Sequence, residues 1–163
     1  MTNQRSLPSV EVLEPKTCWE LLRSASVGRL AVWVGDHPDI FPVNYKVDHG
    51  SVVFRTGEGT KLRAALGKTP VALETDGVLA DATIAWSVVV KGNAAPVEPT
   101  PDLLDSVGLL LFPWQAGQKD HFVRVAPTSM TGRLFSVVSP LMWWSPLSDD
   151  LRAQLEELNG ESP

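Results

Sequence analysis

Between Arg55 and Lys61 two cations, two hydroxyls and two glycines fall within seven residues: Arg55-Thr56, then Gly57-Glu58-Gly59, then Thr60-Lys61. They stand where a strand-like run gives way to a helix start. That residue set suits a phosphate. Glycines let the main chain approach closely, a helix N-terminus offers free N–H groups, and Arg and Lys neutralise charge. The same residues also describe an ordinary loop with a Thr N-cap and two solvated cations. The spacing is neither the Gly-x-x-x-x-Gly-Lys-Ser/Thr of a Walker A loop nor the Gly-x-Gly-x-x-Gly of a dinucleotide turn. No Ser-His-Asp or Cys-His arrangement stands out, so no catalytic side chain is assigned. His37, His49 and His121 lack metal-ligand spacing, and no metal site is expected.

The elements that must position this loop are short. Two apolar-rich runs flank Asp48-His49-Gly50, which carries hairpin turn chemistry. In the first run, 39–47, Phe41, Val43, Tyr45 and Val47 share one face, and Ile40, Pro42, Asn44 and Lys46 the other. Pro42 cannot donate to a ladder, so an edge, a bulge or a ligand is expected there. Residues 1–13 are polar and Pro-interrupted, a flexible arm. A helix is expected from Pro15 to Ala25, with Pro15 in the first turn and Thr17-x-x-Glu20 resembling a capping box. Strands are expected at 27–34, 71–76, 85–92 (with Val88 to Val90 buried on both sides) and 121–125. The segment 131–138 continues or pairs with the last of these. Lys61 to Leu66 reads as a short helix, Thr100-Pro101-Asp102 opens another reaching about Leu111, and a capped helix spans 148–158 within an extension over 141–163. About six strands at short spacing, with small helices at the margins, favour a closed antiparallel barrel over a parallel α/β sheet.

With 163 residues and no internal boundary, a single domain is expected. The net charge of −5 argues against a nucleic-acid partner while allowing a small anion in a local basic pocket. One cysteine, Cys18, cannot form an internal disulfide, and it reads as a small core residue. There is no apolar leader and no run of membrane-spanning length, so a cytoplasmic protein is expected.

Taken together, Pro42-Val43-Asn44-Tyr45, Phe54-Arg55-Thr56, Gly59-Thr60-Lys61-Leu62 and Trp86-Ser87-Val88-Val89-Val90-Lys91-Gly92 resemble the pyridoxamine 5′-phosphate oxidase-like family. Lys119 to Val125 followed by Thr131-Gly132-Arg133 also looks like actinobacterial members of it. The resemblance covers roughly residues 15–135. It implies a six-stranded, Greek-key-like FMN-binding split β-barrel, a homodimer with the cofactor site between subunits, and a small-molecule substrate. It further implies that Pro42, Val43, Asn44 and Tyr45 face the isoalloxazine ring, and that Arg55 and Thr56 end the next strand beside the cofactor. Thr60 and Lys61 would grip the phosphate with Leu62 adjacent, and Ser87 beside Trp86 would contact the flavin.

Each assignment has a plainer alternative. Arg55 pairs with Glu58 or Glu74, Trp86 is core packing, and Asn44 bonds a neighbouring strand. The chain also departs from the true oxidases. They carry basic residues where Ile40 stands, and they close with a Trp and an Arg where this chain has Met142-Trp143-Trp144-Ser145-Pro146. Pyridoxamine phosphate is therefore not the expected substrate. The family resemblance points to an FMN-dependent oxidoreductase. The alternatives are an F420-dependent reductase of the same fold and a non-catalytic flavin- or haem-binding module, with His121 the first haem ligand to test. The Trp143-Trp144 pair covers the barrel, the dimer interface or the ring.

Overall fold

The computed structural model describes residues 10–79, 84–103 and 121–136. Expectations for residues 1–9, the helix beyond Leu103, Trp143-Trp144 and the helix at 148–158 lie outside the described residues. The elements are β1 (Glu11–Val12), α1 (Pro15–Ser24), β2 (Val27–Val34), β3 (His37–Asp48), β4 (Ser51–Thr56), α2 (Thr60–Ala65), β5 (Val71–Val78), β6 (Ile84–Val97) and β7 (His121–Ser136).

Every pairing is antiparallel, in the order β1-β7-β4-β3-β2-β5-β6, and β6 also pairs with β7. That last pairing closes β2 to β7 into the expected six-stranded barrel. Within it β5-β2-β3-β4 forms a Greek key. The β3–β4 connection is a two-residue turn, with His49 at φ 45° and Gly50 at φ 70°. Both left-handed conformations are what a tight hairpin needs to keep the twist of its strands.

Alternation sorts the side chains. On β2, Gly28, Leu30 and Val32 face the core, while Arg29 and Trp33 face out. Opposite them Phe41, Val43 and Tyr45 point inward. Tyr45 is fully buried, and its hydroxyl donates to the Leu22 carbonyl of α1 at 2.8 Å. Its ring fits because residue 28 is glycine, where a Cβ would stand 3.3 Å from the ring and 2.9 Å from the Glu74 carbonyl. Cys18 and Leu22 of α1 and Leu62 and Ala65 of α2 join the same core. Burial pushes the Cys18 thiol up from its ordinary value, against a weaker opposing effect of a main-chain hydrogen bond, so it is a packing group rather than a nucleophile.

β4 is buried on both faces. Val52 and Phe54 enter the barrel core, and Val53 packs with Phe122 beneath Leu103. Residues 101–103 are helical, and the Thr100 hydroxyl accepts the Leu103 N–H at 3.3 Å, the cap expected there.

The segment from 131 continues the strand from 121, one of the two outcomes expected, and the two form β7 because β6 pairs with it almost throughout. Three local expectations change. The ladder from β4 ends at Val125, which leaves an open edge on the second half of β7. Glu11 and Val12 pair with Leu134 and Arg133 there, and the Leu13 N–H donates to the Gly132 carbonyl, so the end of the arm is pinned. Thr17 is not a cap: Glu14 occupies the N-cap and Pro15 opens α1, with no side-chain cap bond. Val89 is only half-buried on the outer face between buried Val88 and Val90, the one-sided burial of an antiparallel wall.

Candidate functional site

The site grows from a change of partner along β3. Its first part, His37 to Asn44, pairs with β2, and its last part, Tyr45 to Asp48, pairs with β4. Past Phe54, β4 runs on beside β7, with Arg55 opposite Phe122 and Thr56 opposite His121. Ahead of Tyr45 the two strands therefore part and leave a split. The Tyr45 N–H donates to the Ser26 carbonyl at 3.0 Å, which sets the alternation along β3. Val43 and Phe41 turn their main-chain groups to β2, and Pro42 and Ile40 turn theirs toward the split. A proline is accommodated at 42 because no ladder bond to β2 is asked of it. Of the three expectations for Pro42, the edge is the one found.

α2 lies across this opening. Gly59 holds φ 146° at its N-cap, a conformation open to glycine, and nothing stands within 4 Å of where a Cβ would be. Gly59, not a threonine, is thus the N-cap, and Thr60 is the first helical residue, exposed. The Lys61 ammonium reaches back over the split to the Pro42 carbonyl at 3.4 Å and lies 5.4 Å above the Phe41 ring. On the other bank the Arg55 guanidinium lies 5.5 Å above the Phe122 ring. One step beyond the Tyr45–Phe54 pair, the register sets Asn44 across from Arg55. At six residues α2 is too short for its dipole to dominate, so an anion held here would depend on the side chains around its start.

Three carboxylates of this region have partners of their own. Glu58 meets His121 Nε2 at 2.9 Å, and Glu74 accepts from Arg29 Nε at 2.7 Å. Asp76 also accepts from Arg29. Thr56 is buried and donates to the Gly57 carbonyl at 3.2 Å, bracing the loop.

Not every expected residue presents its side chain to this place. Val43 and Leu62 are buried in the barrel core, and the main-chain groups of Val43 are turned to β2, away from the split. Tyr45 is a core residue. Trp86 is too, its indole lying over Gly77, where a Cβ would stand 2.7 Å away. Ser87 faces outward, in register with Asp76 and Arg133. It shares the outer face with Asn44 but is three strands away, about 14 Å at the usual strand spacing.

Arg124 serves the opposite end of the hairpin. It donates to the Asp48 carboxylate at 2.7 Å, to the Asp48 carbonyl at 3.3 Å and to the Ser51 hydroxyl. Burial pushes the Asp48 carboxyl up, but hydrogen bonds and charge from Arg124 and His49 outweigh it and hold it below the ordinary carboxylate value. Among the described residues no group of three or more His, Cys, Asp or Glu side chains could hold a metal ion, and no helix is long and apolar enough to cross a membrane.

Two residues of the site escape the sequence. Alternation assigns Phe41 to the core, and nothing local announces that a lysine twenty residues later lies over its ring. Phe122 reads as an ordinary strand residue for the same reason.

Residues 14–134 match the family model of pyridoxamine 5′-phosphate oxidase. An uncharacterised protein of Mycobacterium tuberculosis is 32% identical over 133 residues, covering 78% of this chain and 87% of its own. The crystal structure of a candidate pyridoxamine 5′-phosphate oxidase from Corynebacterium glutamicum superposes with a TM-score of 0.67 at 35% identity, covering 81% of this chain and 98% of that one. An FAD-binding protein of Mycobacterium smegmatis gives 0.64 at 38%, covering 77% and 98%. The family match spans the barrel from α1 to the Trp86–Leu134 pair, and with it the split between β3 and β4. This chain belongs to the pyridoxamine 5′-phosphate oxidase family.

Proposed function

We propose that this protein is a flavin-dependent oxidoreductase that holds FMN at the split between β3 and β4. The observation that carries this reading is the reach of Lys61 from α2 across the opening to the Pro42 carbonyl, with Arg55 on the far bank and Thr60 exposed beside it. The donor set fits a phosphate: two cations and a hydroxyl, next to an open glycine and with Glu58 directed to His121. Thr60 and Lys61 would bind the phosphate, and Arg55 would add charge from β4. Thr56 braces the loop between them. Pro42 and Asn44 would offer β3 main chain, and the Asn44 amide, to the ring, with Val43 packed in the core behind them.

FMN supplies hydride chemistry when bound, and the protein supplies binding, orientation and shielding. No acid or base side chain is required of it. The donor would be a reduced nicotinamide and the acceptor a small molecule other than pyridoxamine phosphate, because apolar Ile40, 64% exposed, stands where the true oxidases are basic. We further infer a cytoplasmic homodimer with its sites at the subunit interface. In support, Trp33 and Ile40 expose apolar surface on the outer face of β2 and β3, beside Pro42. Ser87 would contribute only if paired outer faces bring it to the partner's site.

A second reading, FAD in place of FMN, is favoured by the Mycobacterium smegmatis relative that binds FAD. The same cations would serve either nucleotide. Haem has less support, since the Nε2 of His121 is already engaged by Glu58. The test is an absorption spectrum of the purified protein with mass spectrometry of what heat releases. Bands near roughly 370 and 450 nm with released FMN are expected. Released FAD selects the second reading. A Soret band, or a protein that ignores both flavins and takes F420, overturns the proposal.

A further inference from the structure

We propose that Phe41 is a positioning residue for Lys61, its ring holding the ammonium at the split and thereby setting the affinity for the flavin phosphate. This inference rests on the flavin reading above. Lysine carries its charge on a long, freely rotating stem, and a charge that samples many positions binds an anion poorly. Here the stem has a seat. The ammonium lies 5.4 Å from the Phe41 centroid, within the range where the negative face of a ring attracts a cation, and 3.4 Å from the carbonyl of the next residue, Pro42.

Consecutive residues of one strand can provide both contacts because of what lies at that edge. The Phe41 side chain points to the inner face, while the Pro42 carbonyl points into the split. Among the described residues β3 has no strand partner on that side before Tyr45, so the ring margin and the carbonyl meet the same ammonium. A ring and a carbonyl are neutral, and these two contacts orient the ammonium without themselves neutralising it.

Packing alone does not ask for an aromatic group at 41. Phe41 is half-buried at the margin of the core, where a leucine would fill much of the same space. Phe41→Leu therefore separates the ring from the volume, and Phe41→Tyr restores the ring.

The experiment titrates FMN into the full chain and into F41L, F41Y, K61M and F41L/K61M, with thermal melts to show that each variant folds. F41L should weaken FMN binding about three- to tenfold. F41Y should stay within about twofold of the parent, and F41L should have no further effect once Lys61 is methionine. Equal loss from F41L in the two backgrounds would mean a packing role and overturn the inference. So would an F41L variant that binds like the parent. A parent chain that binds neither FMN nor FAD would end the flavin reading instead. The positioning contact is then read by NMR. Lys61 ε-methylene protons shifted upfield in the parent and restored in F41L support the seat, and unshifted protons in the parent refute it.

Discussion

The two ends of the β3–β4 ribbon are built from the same strands and do opposite things. At the hairpin end the strands are zipped from Tyr45–Phe54 to Asp48–Ser51, and a cation, Arg124, is locked onto a buried carboxylate, a carbonyl and a hydroxyl. At the other end β3 leaves for β2 and β4 for β7, and two cations rest against aromatic rings on either bank. A carboxylate neutralises the cation that it holds, whereas a ring or a carbonyl orients a cation without neutralising it. The comparison teaches that charge type alone does not distinguish the two ends, and that the kind of contact does.

The largest effect should come from breaking the clamped end. Arg124→Ala removes one partner of the Asp48 carboxylate, 7% exposed, while His49 stays beside it, and should cost about 2 kcal/mol in urea unfolding. FMN affinity should change little. A loss of affinity as large as that of Lys61→Ala would erase the distinction between the ends.

Acid sharpens the same contrast. Asp48 has its folded value held below the ordinary 3.8. Its contribution is therefore full above about pH 4 and is lost as pH falls from there through the folded value. Unfolding midpoints should drop on acidification in the parent, and this part of the slope should shrink in Arg124→Ala, where His49 still faces the carboxylate.

At the open end, Lys61→Ala should weaken FMN binding roughly ten- to a hundredfold, the scale of one charge-assisted bond, with a near-parental melting temperature. Calorimetric titration checks it. Unchanged affinity would remove Lys61 from the site.

The smallest effects should be those of Thr60→Ala and Trp86→Phe. The first should cost about fivefold in FMN affinity, the scale of a neutral hydrogen bond, and leave stability untouched. The second should lower the melting temperature, because Trp86 packs on Gly77 in the core, and should move affinity by less than about twofold. A Trp86 variant that folds normally and loses FMN would return that indole to the site.

Much of this molecule is a consequence of local order in the chain. Alternation along 39–47 sorted Phe41, Val43 and Tyr45 from Pro42 and Asn44, and a His-Gly turn with two left-handed residues closed the hairpin after Asp48. The Gly-Glu-Gly-Thr-Lys run marked where a helix would begin beside a strand end, and four motifs in order pointed to the family. All but the family resemblance rest on contacts between near neighbours, where residue type and period are sufficient.

What the tertiary structure decided was which partner each group met. The closure of β6 on β7, the pairing of Glu11-Val12 with the open edge of β7, and the placing of Arg124 on Asp48 76 residues away depend on ladders between distant segments. The split itself exists because β3 changes neighbours between Asn44 and Tyr45. Trp86 and Ser87 are adjacent in the chain and lie on opposite faces of one strand, so their side chains cannot meet at one place, and the closed barrel seats the indole over Gly77. The ring under Lys61 belongs to the same class: a cation and a phenyl group were each visible in the sequence, and the fold alone brought them together.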